Sequence, residues 1–397
     1  MRGFFAVAAL IGGVFAGGPP GLQAKDCPSR LPSNLHAIAS TDFSWALELR
    51  GFSYLVGSRS YLFPAAGALL RFEPSDAFSV DVEGVFRDKT FTDCSKAGDL
   101  PPVQVRTLAL FYAPGGGALS FRLGRQEVRL GNGLVLDDFF DAAVVEYSGG
   151  GWNLSAGGGL LAIGAARETQ ACQKGFFFEY KSCWKGTCGA GYGDFGLAFA
   201  SLSRRFGGGL RIGLLYERVV AETDTYASDV VSLFGQARLP LGFTLFGEAA
   251  VQRRPFPDLL AFGWHLQAVR AWRISGLGTL QAVLHSLYGS DGERGAFLPT
   301  FGTVTLAERM HYSARQGLSW GAALSLTPAF SKRLTLEAGY FSNSGARLDA
   351  LLSEEFDFGL TAKPLGSDLL RLTVKAAFAR TLHGSVHQLR AETRVTF

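Results

Sequence analysis

A two-residue alternation occupies the last nine positions of the chain. Leu389, Ala391, Thr393, Val395 and Phe397 alternate with Arg390, Glu392, Arg394 and Thr396. A period of two puts the first set on one face of an extended strand and the second on the other. One face suits hydrocarbon and the other suits water. A strand of this kind carries a row of backbone N–H and C=O groups that needs a partner, and a closed barrel supplies one from the first strand. The same alternation recurs upstream. Phe78, Val80, Val82 and Phe86 stand opposite Ser79, Asp81 and Glu83, and Leu318, Trp320, Leu324 and Leu326 stand opposite Ser319, Gly321 and Ser325.

The connections between such segments alternate in length. Compact Gly-, Pro- or Ser-rich turns are expected at 113–117, 148–151, 205–208, 240–242, 274–278, 327–331 and 363–367. Longer, more polar connections fall between them at 87–102, 127–140, 164–193, 219–228, 253–261, 288–314 and 342–351. Short turns at one end and long loops at the other are the signature of a transmembrane up-and-down antiparallel β-barrel. Counting segments predicts an all-β fold of about 18 strands, within a range of about 16 to 18. Hydrophobic residues make up 47% of the chain and mean hydropathy is +0.16, yet no apolar run is long enough for a spanning helix. A barrel reconciles the two by spreading its apolar residues over alternate positions. Aromatics cluster at both ends of these segments, with Tyr112, Trp152, Phe206, Phe243, Trp272 and Phe330 toward the short turns and Tyr216, Trp264 and Tyr340 toward the long loops.

At the N-terminus, Met1-Arg2 followed by an apolar stretch over 4–16 reads as a secretory signal peptide, expected to span 1–24 with cleavage after Ala24. Leu22 departs from the small-x-small rule, and cleavage after Ala16 is the alternative. Residues 25–42 are expected to form a periplasmic lead-in and 43–397 the barrel. Without the signal, Lys+Arg falls from 38 to 37 against 34 acidic residues, a balance that argues against a nucleic-acid partner.

Charges on the face opposite the apolar one imply a wet lumen, because a charge facing lipid costs roughly 2–4 kcal/mol at mid-membrane. Arg50, Glu83, Arg106, Arg122, Glu248, Arg371, Lys375, Arg390 and Arg394 fall on that face. For each one, the competing reading is a wall residue neutralised by its neighbours. Closure of the barrel would bring Arg371, Lys375, Arg390, Arg394 and Arg50 together as a basic strip, diluted by Glu48 and Glu392.

The C-terminal alternation ending on Phe397 resembles the last strand of bacterial outer-membrane barrels. That likeness implies outer-membrane lipid as the surroundings and the outer-membrane assembly machinery as a partner. A second resemblance lies in residues 119–147, which carry Phe121-Arg122-Leu123-Gly124-Arg125-Gln126, then Gly131-Asn132-Gly133, then Asp137-Asp138 and Phe140-Asp141-Ala142. This stretch resembles the alginate-export-like family of outer-membrane porins. The resemblance implies an 18-stranded barrel with a basic channel for anionic polysaccharide, and Arg122, Arg125 and Arg129 as the positions corresponding to its constriction arginines. The expected function is a passive, water-filled channel for anionic or polyhydroxylated solutes. The rival from another class is a barrel that sheaths a periplasmic multihaem cytochrome partner.

Cys94, Cys172, Cys183 and Cys188 fall in expected extracellular loops and are candidates for one or two disulfides of undetermined connectivity, with Cys27 left over. Their spacing fits a zinc site poorly. His265 and His285 read as ordinary polar positions of wall strands, and His383 and His387 straddle the last hairpin. No catalytic constellation can be assembled, and neither cofactor nor metal is expected.

Overall fold

The computed structural model describes residues 36–37, 43–56, 59–87, 103–161, 196–220, 227–254, 259–290, 317–344, 351–365, 369–381 and 384–396. The expected signal peptide, most of the expected lead-in, Phe397 and the four candidate disulfide cysteines lie outside these residues, as do large parts of the expected long loops.

After a two-residue strand β1 (His36–Ala37) come β2 (Phe43–Val56), β3 (Arg59–Ser75), β4 (Phe78–Arg87), β5 (Val103–Tyr112), β6 (Leu119–Leu130) and β7 (Leu136–Gly149). There follow β8 (Trp152–Leu161), β9 (Gly196–Arg205), β10 (Arg211–Val220), β11 (Ser228–Arg238), β12 (Thr244–Arg254) and β13 (Leu259–Ile274). The last six are β14 (Gly278–Gly289), β15 (Gly317–Pro328), β16 (Leu334–Ser344), β17 (Leu351–Ala362), β18 (Leu370–Thr381) and β19 (Gly384–Thr396). Each strand from β2 onward pairs antiparallel with the next, and β19 pairs back onto β2, with Arg394 opposite Arg50 and Val395 opposite Leu49. Of the 19 strands in the sheet, β1 is a short addition to β2, so the closed wall has 18. Closure leaves the eighteen-stranded wall no free edge, which is the condition a β structure must meet in hydrocarbon.

The burial pattern follows the sequence alternation. On β10, Gly213, Leu215, Glu217 and Val219 are buried, while Ile212, Leu214, Tyr216 and Val220 are exposed. An outer face built from side chains such as Leu233, Phe262, Leu284, Leu324 and Phe358 fits lipid rather than water. Outward aromatics join neighbouring strands on the long-loop side, where Trp264 stacks on Tyr288 at 4.2 Å and Tyr340 lies 5.3 Å from Trp320.

The interior departs from the expected uniformly polar lumen. Along β7 to β14 the inward positions include Val144, Phe199, Leu215, Val230, Phe234 and Leu287, which are buried together in one apolar cluster. Inward rings need a wall with little side-chain bulk beneath them. Phe234 covers Gly213, and Phe341 covers Gly321, where an added Cβ would come 2.2 Å from the Phe341 ring. Gly321→Leu is therefore expected to destabilise the barrel by about 1–3 kcal/mol through overpacking, read as a lower temperature for loss of the compact, heat-modifiable band on gels.

Candidate functional site

The apolar interior is closed over by a hairpin that leaves the wall. β6 and β7 pair over their whole length, from Leu119 opposite Tyr147 to Leu130 opposite Leu136. The neighbour on one side does not follow them: β5 runs on to Val103 but pairs with β6 only from Tyr112–Phe121 to Leu108–Arg125, while the described part of β8 pairs with β7 as far as Phe140–Leu161. Residues 126–139 thus project beyond the wall as a two-stranded arm. The segment 127–140, expected to be an extracellular loop, is instead regular strand around a tight turn. The even-numbered face of β6 stays buried through Gln126, Val128 and Leu130, which prevents the arm from standing free in water.

The departure point has its own chemistry. Gly124 sits at φ +113°, and a Cβ there would lie 2.2 Å from the Leu108 carbonyl oxygen, so only glycine fits between the parting strands. Next to it, Arg125 donates from Nε and Nη2 to the two oxygens of Asp141 at 2.9 and 3.0 Å, and from Nη1 to the Val105 carbonyl at 3.2 Å. This guanidinium ties β5 and β7 together across the seam that β6 opens. Arg125, expected as a solute contact, is a clasp instead, because its fork is filled by a bidentate carboxylate and a carbonyl.

The arm's tip reaches the far wall. Gly131 and Gly133 have φ of +60° and +82°, and the Gly133 N–H donates to the Leu130 carbonyl. At the apex, the N–H groups of Asn132 and Leu134 donate to one oxygen of Glu248 at 2.8 and 3.0 Å, and the Ser232 hydroxyl donates to the other at 2.8 Å. The Asn132 side chain donates to the carbonyls of Gly235 on β11 and Gly247 on β12 at 3.1 and 2.6 Å. Leu134 and Val135 are fully buried behind these bonds. Glu248 is the fifth residue of β12, counted from the short-turn end, so the tip docks about halfway up the barrel. Glu248 was expected to line the pore. It is 2% exposed, and both oxygens are occupied by the arm and Ser232, so it acts as an anchor.

The remaining expected residues separate into wall pairs and a row. Arg122 donates to Glu146 at 2.6 Å, Glu83 accepts from the Thr107 hydroxyl at 3.3 Å, and Arg129 donates to the Asn132 carbonyl at 3.3 Å within the arm. Lys375 lies 3.4 Å from Glu337, with its side chain 6% exposed, so its charge is largely spent on the wall and it is no open solute contact. Gly359 between them leaves the space for that bridge. Arg371 stands directly opposite Arg394, Arg394 opposite Arg50, and Lys375 opposite Arg390. Register therefore makes the backbone positions of the expected basic strip neighbours. For Arg50, Arg106 and Arg390 the described feature is backbone position, and Arg106 falls where β4 and β5 slip register.

Sequence reasoning missed Asn132, Ser232, Gly235 and Gly247 as partners. The signal was the apolar pair Leu134-Val135 at a tip expected to face water. It also left His265 and His285 apart. They are buried on the inner face with rings 6.1 Å apart and 12° from parallel, and His265 is opposite Glu248. Among the described residues, no group of three or more His, Cys, Asp or Glu side chains could hold a metal ion.

These features define an eighteen-stranded up-and-down barrel, narrowed from within by a hairpin pinned to β11 and β12. Solved structures from Pseudomonas aeruginosa have a similar fold. OccK11 (OpdR) superposes with a TM-score of 0.61 at 14% identity, over 90% of this chain and 96% of that one. The outer membrane protein OpdK superposes with a TM-score of 0.58 at 15% identity, and OpdL at 0.58 and 17%, each over 90% of this chain and 99% of the other. No family model and no curated protein matches the sequence.

Proposed function

We propose that this chain is a passive, water-filled channel in a bacterial outer membrane with a preference for anionic or polyhydroxylated solutes. The observation that carries this reading is the arm docked halfway up a closed barrel whose outer face is apolar. It narrows the bore and presses one sector into a dry packing, so the solute path runs along the charged sector. There, Arg71 holds Asp81 bidentately at 2.7 and 2.8 Å, and the Arg371, Arg394 and Arg50 positions adjoin. A row of arginine positions along that path favours anions over cations in transit.

The likeness in fold to OpdK supports the membrane setting. The resemblance of residues 119–147 to the alginate-export-like porins supports an oligosaccharide as one candidate solute. On this reading, residues 1–24 are the export signal, 25–42 the periplasmic lead-in and 43–397 the barrel, with the last strand recognised by the assembly machinery. A barrel sheathing a cytochrome would need the lumen that the arm occupies, and that rival loses support.

Planar-bilayer recording under a salt gradient tests the proposal. The native channel should give an anion-selective reversal potential, and Arg371→Glu with Arg394→Glu should move it to cation selectivity. A native protein that conducts no current, or that prefers cations, refutes the reading.

A further inference from the structure

Two places on the outer wall carry an arrangement that conduction does not use. On β9, Arg204 lies opposite Trp152 of β8, with Phe206 two residues further on. Its Cζ is 4.9 Å from the Trp152 ring centre and 5.2 Å from that of Phe206. On β13, Arg270 lies beside Phe243, which precedes β12, with Trp272 two residues further on, at 5.2 and 4.7 Å. The plan is the same in both: an arginine near the short-turn end of a strand, one aromatic across from it and one two residues beyond.

Both arginines belong to the lipid-facing alternation, Arg204 with exposed Leu202 and Arg270 with exposed Trp264 and Leu266. Among the described residues, neither meets a carboxylate. The windows 202–214, 236–246 and 268–280 hold Arg204, Arg205, Arg211, Arg238, Arg270 and Arg273 with no Asp or Glu, in a chain whose net charge is only +4. Of these six, Arg204 and Arg270 fall on the outward alternation of their strands and the other four on the inward one, so the outward positive charge at this end is carried by these two arginines.

A guanidinium held against ring faces keeps its in-plane N–H donors, and their fork matches two oxygens of a phosphate. Outward rings at strand ends mark the depth of lipid headgroups, which a solute in the lumen cannot reach. We infer that Arg204 with Trp152 and Phe206, and Arg270 with Phe243 and Trp272, are two headgroup sites that retain anionic phospholipids in the leaflet at the short-turn end. This rests on the membrane setting proposed above and is independent of conduction.

The test is to reconstitute the full chain into nanodiscs of phosphatidylcholine and phosphatidylglycerol in equal parts and count retained lipids by native mass spectrometry. Phosphatidylglycerol should be enriched on the native protein. Each of Arg204→Gln and Arg270→Gln should weaken that enrichment about five-fold, the equivalent of roughly 1 kcal/mol per arginine at an anionic surface. The double variant should keep native conductance, and Arg→Lys should restore only part of the enrichment. Equal retention of the two lipids, enrichment unchanged in the double variant, or a rim that ignores phosphatidylglycerol but binds soluble polyglutamate would each overturn the inference. The last outcome would assign the rim to an acidic protein. A chain that never enters nanodiscs would instead refute the membrane setting.

Discussion

Glu248→Ala should turn a quiet channel into a flickering one of higher mean conductance. One carboxylate accepts two backbone N–H groups of the arm tip and the Ser232 hydroxyl. Its removal leaves two buried backbone donors without acceptors, at a cost of about 3–5 kcal/mol. At about 1.4 kcal/mol per factor of ten, the docked-to-undocked ratio falls by roughly two to four orders of magnitude. Leu134 and Val135 still favour burial by about 1.5–3 kcal/mol each, so the tip should detach intermittently and return. Glu248→Gln retains one acceptor oxygen and turns the other into an NH2 donor, so it should fall between. Asn132→Ala, which removes the donors to Gly235 and Gly247, should act in the same direction with a smaller effect. A thiol-labelling readout on Leu134→Cys makes the outcome independent of current: labelling should be slow in the native background and fast beside Glu248→Ala. Equal labelling rates and unchanged conductance would mean that the carboxylate is not the anchor. The 18-strand ladder is untouched by these changes, so thermal unfolding should move little.

Gly124→Val should have the second large effect, on assembly. A β-branched residue at φ +113° is strained by about 1–3 kcal/mol, and its Cβ would sit 2.2 Å from a backbone oxygen that no rotamer change can move. Relief requires β6 to move away from β5, which would break the Arg125 bond to the Val105 carbonyl. The yield of folded, heat-modifiable barrel should drop severely, and the fraction that folds should conduct with altered amplitude. Gly124→Ala should show the same defect in milder form. Native yield and native conductance for Gly124→Val would show that β6 bends elsewhere.

The two predictions lie at opposite ends of what could be read from residue order. Gly124 and the Gly131-Asn132-Gly133 apex were visible as a distinctive stretch, because glycine is needed wherever backbone turns or approaches closely. Glu248 was visible as a charge on the inner face. That the apex and Glu248 meet was not visible, since they are 116 residues apart for Asn132 and periodicity reports only which face a residue occupies. The same gap explains Arg125, Lys375 and the His265–His285 pair. Each was assigned a face or a polarity, and each was decided by a neighbour on another strand.

Residue order alone determined the class of fold. An alternation of two between apolar and charged side chains, with turns and loops sorted by length, can bury its backbone polar groups in lipid only by closing on itself, and strand length and number then follow. Tertiary structure alone decided which part of the interior the arm fills. The arm's route depends on where β5 stops pairing with β6 and on which carboxylate its apex meets. Those are contacts between distant segments, and a local pattern leaves them open.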